Sequence, residues 1–191
     1  MPVGSSTVPS AATRAAKMSV PARESCHATR KSVPSNATAG ALAWALICAG
    51  ALSASIATAG IGAYVGGVAG LWLTAFGVAY TLLSATHATF AATAVAQGYA
   101  DLDLSPTDPR GLATFGLAGL WALMAGMALR GREGLRPAYS GLAIALGVDL
   151  ILLYVATVIG STPAILVTGG LASVILGPVF WAMTGRLLRA T

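Results

Sequence analysis

The sequence predicts an all-α fold: a polytopic transmembrane helix bundle of about five spans behind a disordered N-terminal tail, with six spans as the alternative. Three observations predict it. Only 9% of the 191 residues are charged and 56% are hydrophobic, with a mean hydropathy of +0.77, where an average soluble domain carries about 25% charged residues. Nearly all the charge is gathered in the N-terminal tail, the 101–110 loop, the 130–136 loop and the C-terminal end. Between these clusters lie uncharged runs of the length, about 20 residues, that crosses a bilayer. Such a composition cannot supply a polar shell, so its apolar side chains must face lipid or one another. The expected location is the cell membrane, multi-pass, with the lipid bilayer as the surrounding medium.

Residues 1–38 form the expected tail and 39–191 the membrane domain. The tail is rich in Ser, Ala, Pro and Thr, has Glu24 as its one acid, and shows no apolar periodicity, so it reads as disordered. Its composition is also that of a targeting peptide. Met18 is an alternative start. A secretory signal with its apolar region at 41–52 and cleavage near Ala57-Thr58-Ala59 is a further alternative, but its basic leader would be long, and an uncleaved first span is preferred.

Span one is expected from about Ala41 to Gly60, followed by the Gly-rich stretch to Gly67. Span two runs uncharged from Val68 to about Gln97, either as one long tilted helix or as two short segments. Asp101 to Arg110 is a loop, in which Thr107 or Asp108 caps the next helix with Pro109 at its first position. Span three covers Gly111–Leu129, and Arg130 to Pro137 is a basic hinge. Span four covers Ala138–Ile159, and Gly160 to Pro163 is a turn with a hydroxyl cap before Pro. Span five covers Ala164–Gly185 and should kink at Pro178, whose ring removes a backbone donor.

Charge pulls topology two ways. The basic 130–136 loop and C-terminus belong together on the cytoplasmic side, opposite the acidic 101–110 loop. Two spans before Asp101 then put the basic tail outside, against the same rule. Three spans there would remove the conflict, but at about 1.5 Å per residue residues 40–100 only just supply three crossings of a roughly 30 Å core, with nothing left for turns.

Small residues recur every four positions: Gly50, Ala54, Thr58, Gly62, Gly66, Gly70 and Thr74; then Thr114, Ala118, Ala122 and Gly126; then Gly169, Ser173 and Gly177. Such stripes let helix backbones approach in lipid, where no hydrophobic effect drives helices together. Trp44 and Trp181 suit interfacial belts, whereas Trp72 and Trp121 lie deeper and suit packing.

The net charge of +5 does not point to nucleic acid. Five of the eleven basic residues are in the tail and the others flank apolar runs, where they meet headgroups. Cys26 and Cys48 have no disulfide or zinc spacing. Asp101, Asp103 and Asp108 lack the spacing of a calcium loop and read as a solvated turn. No nucleophile elbow, phosphate loop or zinc-protease helix occurs, so no catalytic, metal or cofactor residue is assigned.

Two ionisable residues stand inside spans. Asp149 is mid-way along span four, where a charged carboxylate costs about 2.5–3.5 kcal/mol on the insertion scale. Gly141, Ala145 and Asp149 form one stripe, expected to face the bundle interior. Asp149 is then either a proton, cation or substrate site, or a protonated packing residue bonded to a neighbouring helix. His87 lies on span two with Tyr80 and Ser84 on the same face and Thr81 beside it. It is a proton relay, or an imidazole satisfied by Tyr80 or a hydroxyl. A haem ligand would need a second histidine, and His27 is in the tail. The sharpest expectation is that His87 and Asp149 meet and hold a proton or small cation.

The basic hinge Arg130 to Pro137, with Gly177-Pro178-Val179-Phe180-Trp181 and Gly185-Arg186-Leu187-Leu188-Arg189, is similar to the C-terminal parts of small multi-span bacterial membrane proteins of unknown function. The resemblance covers about a third of the chain and implies no site residues. Two functions follow as expectations. One is a small proton, ion or solute transporter component. The other is a non-catalytic membrane subunit that packs through its small faces against partner spans, in a homo-oligomer or with another membrane protein.

Overall fold

The computed structural model describes residues 37–98, 108–132 and 137–190. It contains five helices long and apolar enough to cross a membrane. The elements are α1 (Ala37–Val65), α2 (Gly67–Ala96), α3 (Leu112–Leu129), α4 (Pro137–Val158), α5 (Thr162–Gly170) and α6 (Gly177–Ala190). A π-helical stretch, Leu171–Leu176, joins α5 to α6, so these three make the fifth span. The protein is an integral membrane protein of helical-bundle type. Its outer surface carries Leu46, Ile56, Val68, Leu71, Leu166 and Val174 exposed, an apolar surface that water would not tolerate and lipid does.

The stretch that left the span count open is one 30-residue helix, α2. It follows α1 after Gly66 alone, and the chain reverses there because Gly66 and Gly67 adopt positive φ (69° and 60°), which residues with a Cβ rarely adopt. α1 begins at Ala37, inside the expected tail, and residues 1–36, with Cys26 and His27, lie outside the described residues. So do Asp101 and Asp103.

α1 and α2 pack along their length. A Cβ on Gly40 would lie 3.1 Å from Val95 at one end, and a Cβ on Gly62 would lie 2.6 Å from the Gly70 carbonyl oxygen at the other. α3 packs on α4 through Gly119, Gly126 and Gly147. The expected Gly141–Ala145 stripe does not face the bundle: both residues are exposed. The reason is that Gly147 and Gly119 set the α3–α4 approach, which turns Gly141 toward lipid.

The core centres on Trp121, 1% exposed, with Phe180, Ile61, Leu73 and Tyr139. Its indole N–H donates to the Leu73 carbonyl oxygen at 2.9 Å, tying α3 to α2. Trp181 stacks on Trp121 at 6.1 Å, so it is a packing residue rather than a belt residue. Trp72, by contrast, is 54% exposed and near the start of α2, where a belt residue belongs. Tyr139 on α4 shares a 2.7 Å hydrogen bond with Thr184 on α6.

One end of the bundle collects Arg130, Arg132, Arg186 and Arg189. Arg132 reaches across to donate to the Tyr64 and Val65 carbonyls at 3.2 and 2.8 Å, and Leu188 lies against Gly60. The opposite end holds Asp108. Its carboxylate accepts from the Ala113 and Thr114 amides at 2.7 and 3.0 Å and from the Thr114 hydroxyl, which is the cap expected there. Pro109 opens a 3₁₀ turn rather than the α-helix, and α3 starts three residues later. Ser161, before the fifth span, makes no side-chain cap bond. Its carbonyl instead accepts the Ile165 amide at 2.9 Å.

Candidate functional site

Asp149 is 5% exposed, and its Oδ2 atom has no hydrogen-bond partner. The sequence explains the position: Asp149, Leu153 and Thr157 recur every four residues and form one stripe of α4. Leu153 fixes what that stripe meets, because a Cβ on Gly169 of α5 would lie 3.7 Å from its Cδ1. One turn further along each antiparallel helix, Asp149 is level with Ser173.

Ser173 belongs to the π-helical stretch. There the Gly177 amide bonds to the Ala172 carbonyl, five residues back. The next amide in that register would serve the Ser173 carbonyl, and it belongs to Pro178, which has none. The kink expected at Pro178 is thus realised one turn earlier, as a widened turn. Ser173 carries a carbonyl with no donor from residue 178, at the depth of a carboxylate oxygen with no donor. A proton taken up at Asp149 would remove the cost of a buried acceptor that has no donor.

A groove leads to this place from the Asp108 end. It holds ≈ 720 Å³ and is lined by Leu153 and Thr157 of α4 and by Ile165, Gly169 and Ser173 of the fifth span. Phe115 and Arg110 border it. Asp149 follows Leu153 on the same stripe, one turn beyond the lining. Arg110 adopts φ 58°, ψ 13°, a left-handed conformation held between the anchored Asp108 and the positive-φ Gly111. Such a conformation costs a residue with a Cβ about 1 kcal/mol.

His87 does not join this site, and no hydrogen bond links it to Asp149. At about 1.5 Å per residue His87 lies about 30 Å along α2 from its start, and Asp149 about 18 Å along α4, so the two differ in depth. Their helices also face different neighbours. His87 meets the edge of Trp44 on α1 at 5.8 Å, while α4 packs on α3, α5, the π-helical stretch and α6. Nor do Tyr80 or a hydroxyl satisfy the imidazole, whose Nδ1 is buried without a partner. Tyr80 and Ser84 instead line a smaller cleft of ≈ 220 Å³ with Gly50, Ala54 and Trp181. Cys48 shares a 3.3 Å contact with the Thr89 hydroxyl. Among the described residues no group of three or more His, Cys, Asp or Glu is placed to hold a metal ion.

Asp149 was visible in the sequence as an acid in an apolar run. The groove and Arg110's place at its mouth were not, though Gly169-Gly170 on a membrane helix marks where side-chain volume is missing. Compared with known proteins, the chain matches no protein family, no curated sequence and no solved structure.

Proposed function

We propose that this integral membrane protein is a small transport component of the cell membrane that takes up a proton at Asp149 and uses it to move an ion or solute. The observation that carries the reading is the buried, unpartnered Asp149 Oδ2 on a membrane-spanning helix. An ionised carboxylate at that depth is costly, and a proton removes the cost by neutralising it and turning an acceptor into a donor. The groove supports the reading because it follows the Asp149 stripe of α4 from Thr157 to Leu153, one turn short of the carboxyl.

The test is proton entry into proteoliposomes loaded with a pH-sensitive dye, driven by an imposed pH gradient. Wild type should acidify the lumen, Asp149→Asn should reduce the rate at least tenfold, and Asp149→Glu should retain part of it. Equal rates for wild type and a folded Asp149→Asn overturn the reading.

A second reading is a non-catalytic subunit that seats a partner span, in a homo-oligomer or beside another membrane protein. It is favoured by α1, which leaves a cleft of ≈ 480 Å³ lined by Gly50, Ala54, Ala57 and Trp181. Under that reading Gly50→Leu disrupts assembly while Asp149→Asn leaves it intact.

A further inference from the structure

The hydroxyls of α2 follow one pattern with an exception. Thr74, Thr81, Thr86, Thr89 and Thr93 each donate to the carbonyl four residues earlier, which satisfies them inside the helix. Ser84 does not, and among the described residues neither it nor the Tyr80 hydroxyl has a hydrogen-bond partner. Tyr80 is 9% exposed. The atoms sealed in the protein without a partner are His87 Nδ1 and Asp149 Oδ2, so the Tyr80 hydroxyl opens on the cleft that it and Ser84 line.

That cleft of ≈ 220 Å³ shares Gly50, Ala54 and Trp181 with the ≈ 480 Å³ cleft along α1, and the two make one groove. Gly50 keeps it open, since a Cβ there would meet nothing within 4 Å. Trp181 borders both parts, its ring held by stacking on Trp121. No charged side chain lines either part. At about 1.5 Å per residue the lining from Ile47 to Ala57 lies about 15–30 Å from the start of α1, well within the depth of a roughly 30 Å core.

We infer that this groove binds a neutral, planar, lipid-soluble ring that carries carbonyl oxygens, the chemistry of a quinone head group, with a carbonyl accepting from the Tyr80 hydroxyl. The inference does not rest on Asp149. A hydroxyl without an acceptor is costly in hydrocarbon, and what it lacks is an oxygen with a free lone pair. A charged ligand would lie unpaired at this depth. A phospholipid keeps its ester carbonyls at the headgroup level, and its acyl chain would fill the space while leaving both hydroxyls unserved. A partner helix spends its backbone carbonyls on its own ladder. A quinoid ring brings its acceptors into the core, and its flat face suits the wall of Gly50 and Ala54 and the indole of Trp181. The larger part of the groove has the size of a small-molecule pocket.

The experiment is titration of the full chain in phosphatidylcholine nanodiscs with duroquinone, read by quenching of tryptophan fluorescence. Durene, the same methylated ring without carbonyls, is the competitor. Wild type should show a saturable quenching component above the linear collisional one, and excess durene should leave it in place. Tyr80→Phe, which keeps the ring and loses the hydroxyl, should weaken binding at least tenfold, and Ser84→Ala several-fold. Gly50→Leu, which fills the groove from a position with free space, should abolish the saturable component. Thermal unfolding of each variant should stay within a few degrees of wild type, which separates loss of ligand from loss of fold. Linear quenching alone in wild type, displacement by durene, or an unchanged saturable component in folded Tyr80→Phe overturns the inference. A chain that is dimeric in the nanodisc, dispersed by Gly50→Leu and quenched only linearly, overturns it in favour of a second copy seated in the groove.

Discussion

Gly119 and Gly147 face each other across α3 and α4 so closely that a Cβ on Gly147 would lie 2.8 Å from the Gly119 carbonyl oxygen, and a Cβ on Gly119 would lie 3.1 Å from that of Gly147. Both obstacles are backbone, which cannot swing aside as a side chain can. This contact sets the rotation of α4, and so puts Asp149, about 200° further round the helix, on the side away from α3.

Gly147→Ala should therefore destabilise the protein by about 1–3 kcal/mol, the usual cost of overpacking. Gly141→Ala is the control: it meets nothing within 4 Å on an exposed face, and it should be neutral or slightly stabilising because alanine is the better helix former. Unfolding of the two variants by denaturing detergent measures the difference. Proton entry should fall with Gly147→Ala and not with Gly141→Ala.

Why the sequence yields the spans but only half of the site follows from the same residues. Span length reports on bilayer thickness, and an uncharged run of 20 or 30 residues carries that information by itself. Rotation of each helix does not. In a soluble helix the polar face marks the outside, but here lipid and core are both apolar, so Gly141-Ala145 and Gly119-Gly147 look alike until packing separates them. Asp149 stands out because an acid in an apolar run is costly anywhere. Its partner could not be chosen by residue type: His87 was the natural candidate, yet it sits at another depth beside Trp44. Place along the span also misplaced Trp72 and Trp181, because a belt residue is defined by the face it occupies as well.

Asp108 concentrates the start of α3 on one side chain. Asp108→Ala removes the acceptor of two backbone amides and one hydroxyl, which should cost about 1–2 kcal/mol. Hydrogen exchange at the Ala113 and Thr114 amides should quicken by about tenfold or more, since each 1.4 kcal/mol is a factor of ten. Exchange in the middle of α4 should stay as it is.

Arg132 ties the α3 end to the α1–α2 turn, which places both on one membrane face. In a chain whose native cysteines are replaced, a cysteine at Gly131 should react with an impermeant maleimide from one side only. Cysteines at Ala39 and Gly160 should react from the other. The basic residues of the Gly131 side and those of the tail favour opposite orientations, and the labelling decides between them. Labelling of Ala39 and Gly131 from the same side would require an even number of crossings between them and would contradict three.

Pro178 is where stability and function should part. Pro178→Ala returns an amide to the helix, four residues after Val174 and five after Ser173. The interior proline costs a helix about 3 kcal/mol, and recovering it offsets the packing shifted beyond it, so the unfolding midpoint should stay within a few degrees of wild type. The same amide competes for the Ser173 carbonyl and favours closing the π-helical stretch to regular α-helix. That shifts the register of everything beyond it, including Phe180 and Thr184 against Tyr139. If the widened turn of the fifth span takes part in proton uptake at Asp149, Pro178→Ala should lower proton entry several-fold in a protein that folds well. A variant that is as stable and transports as wild type does would mean that the widened turn has no part in the chemistry at Asp149.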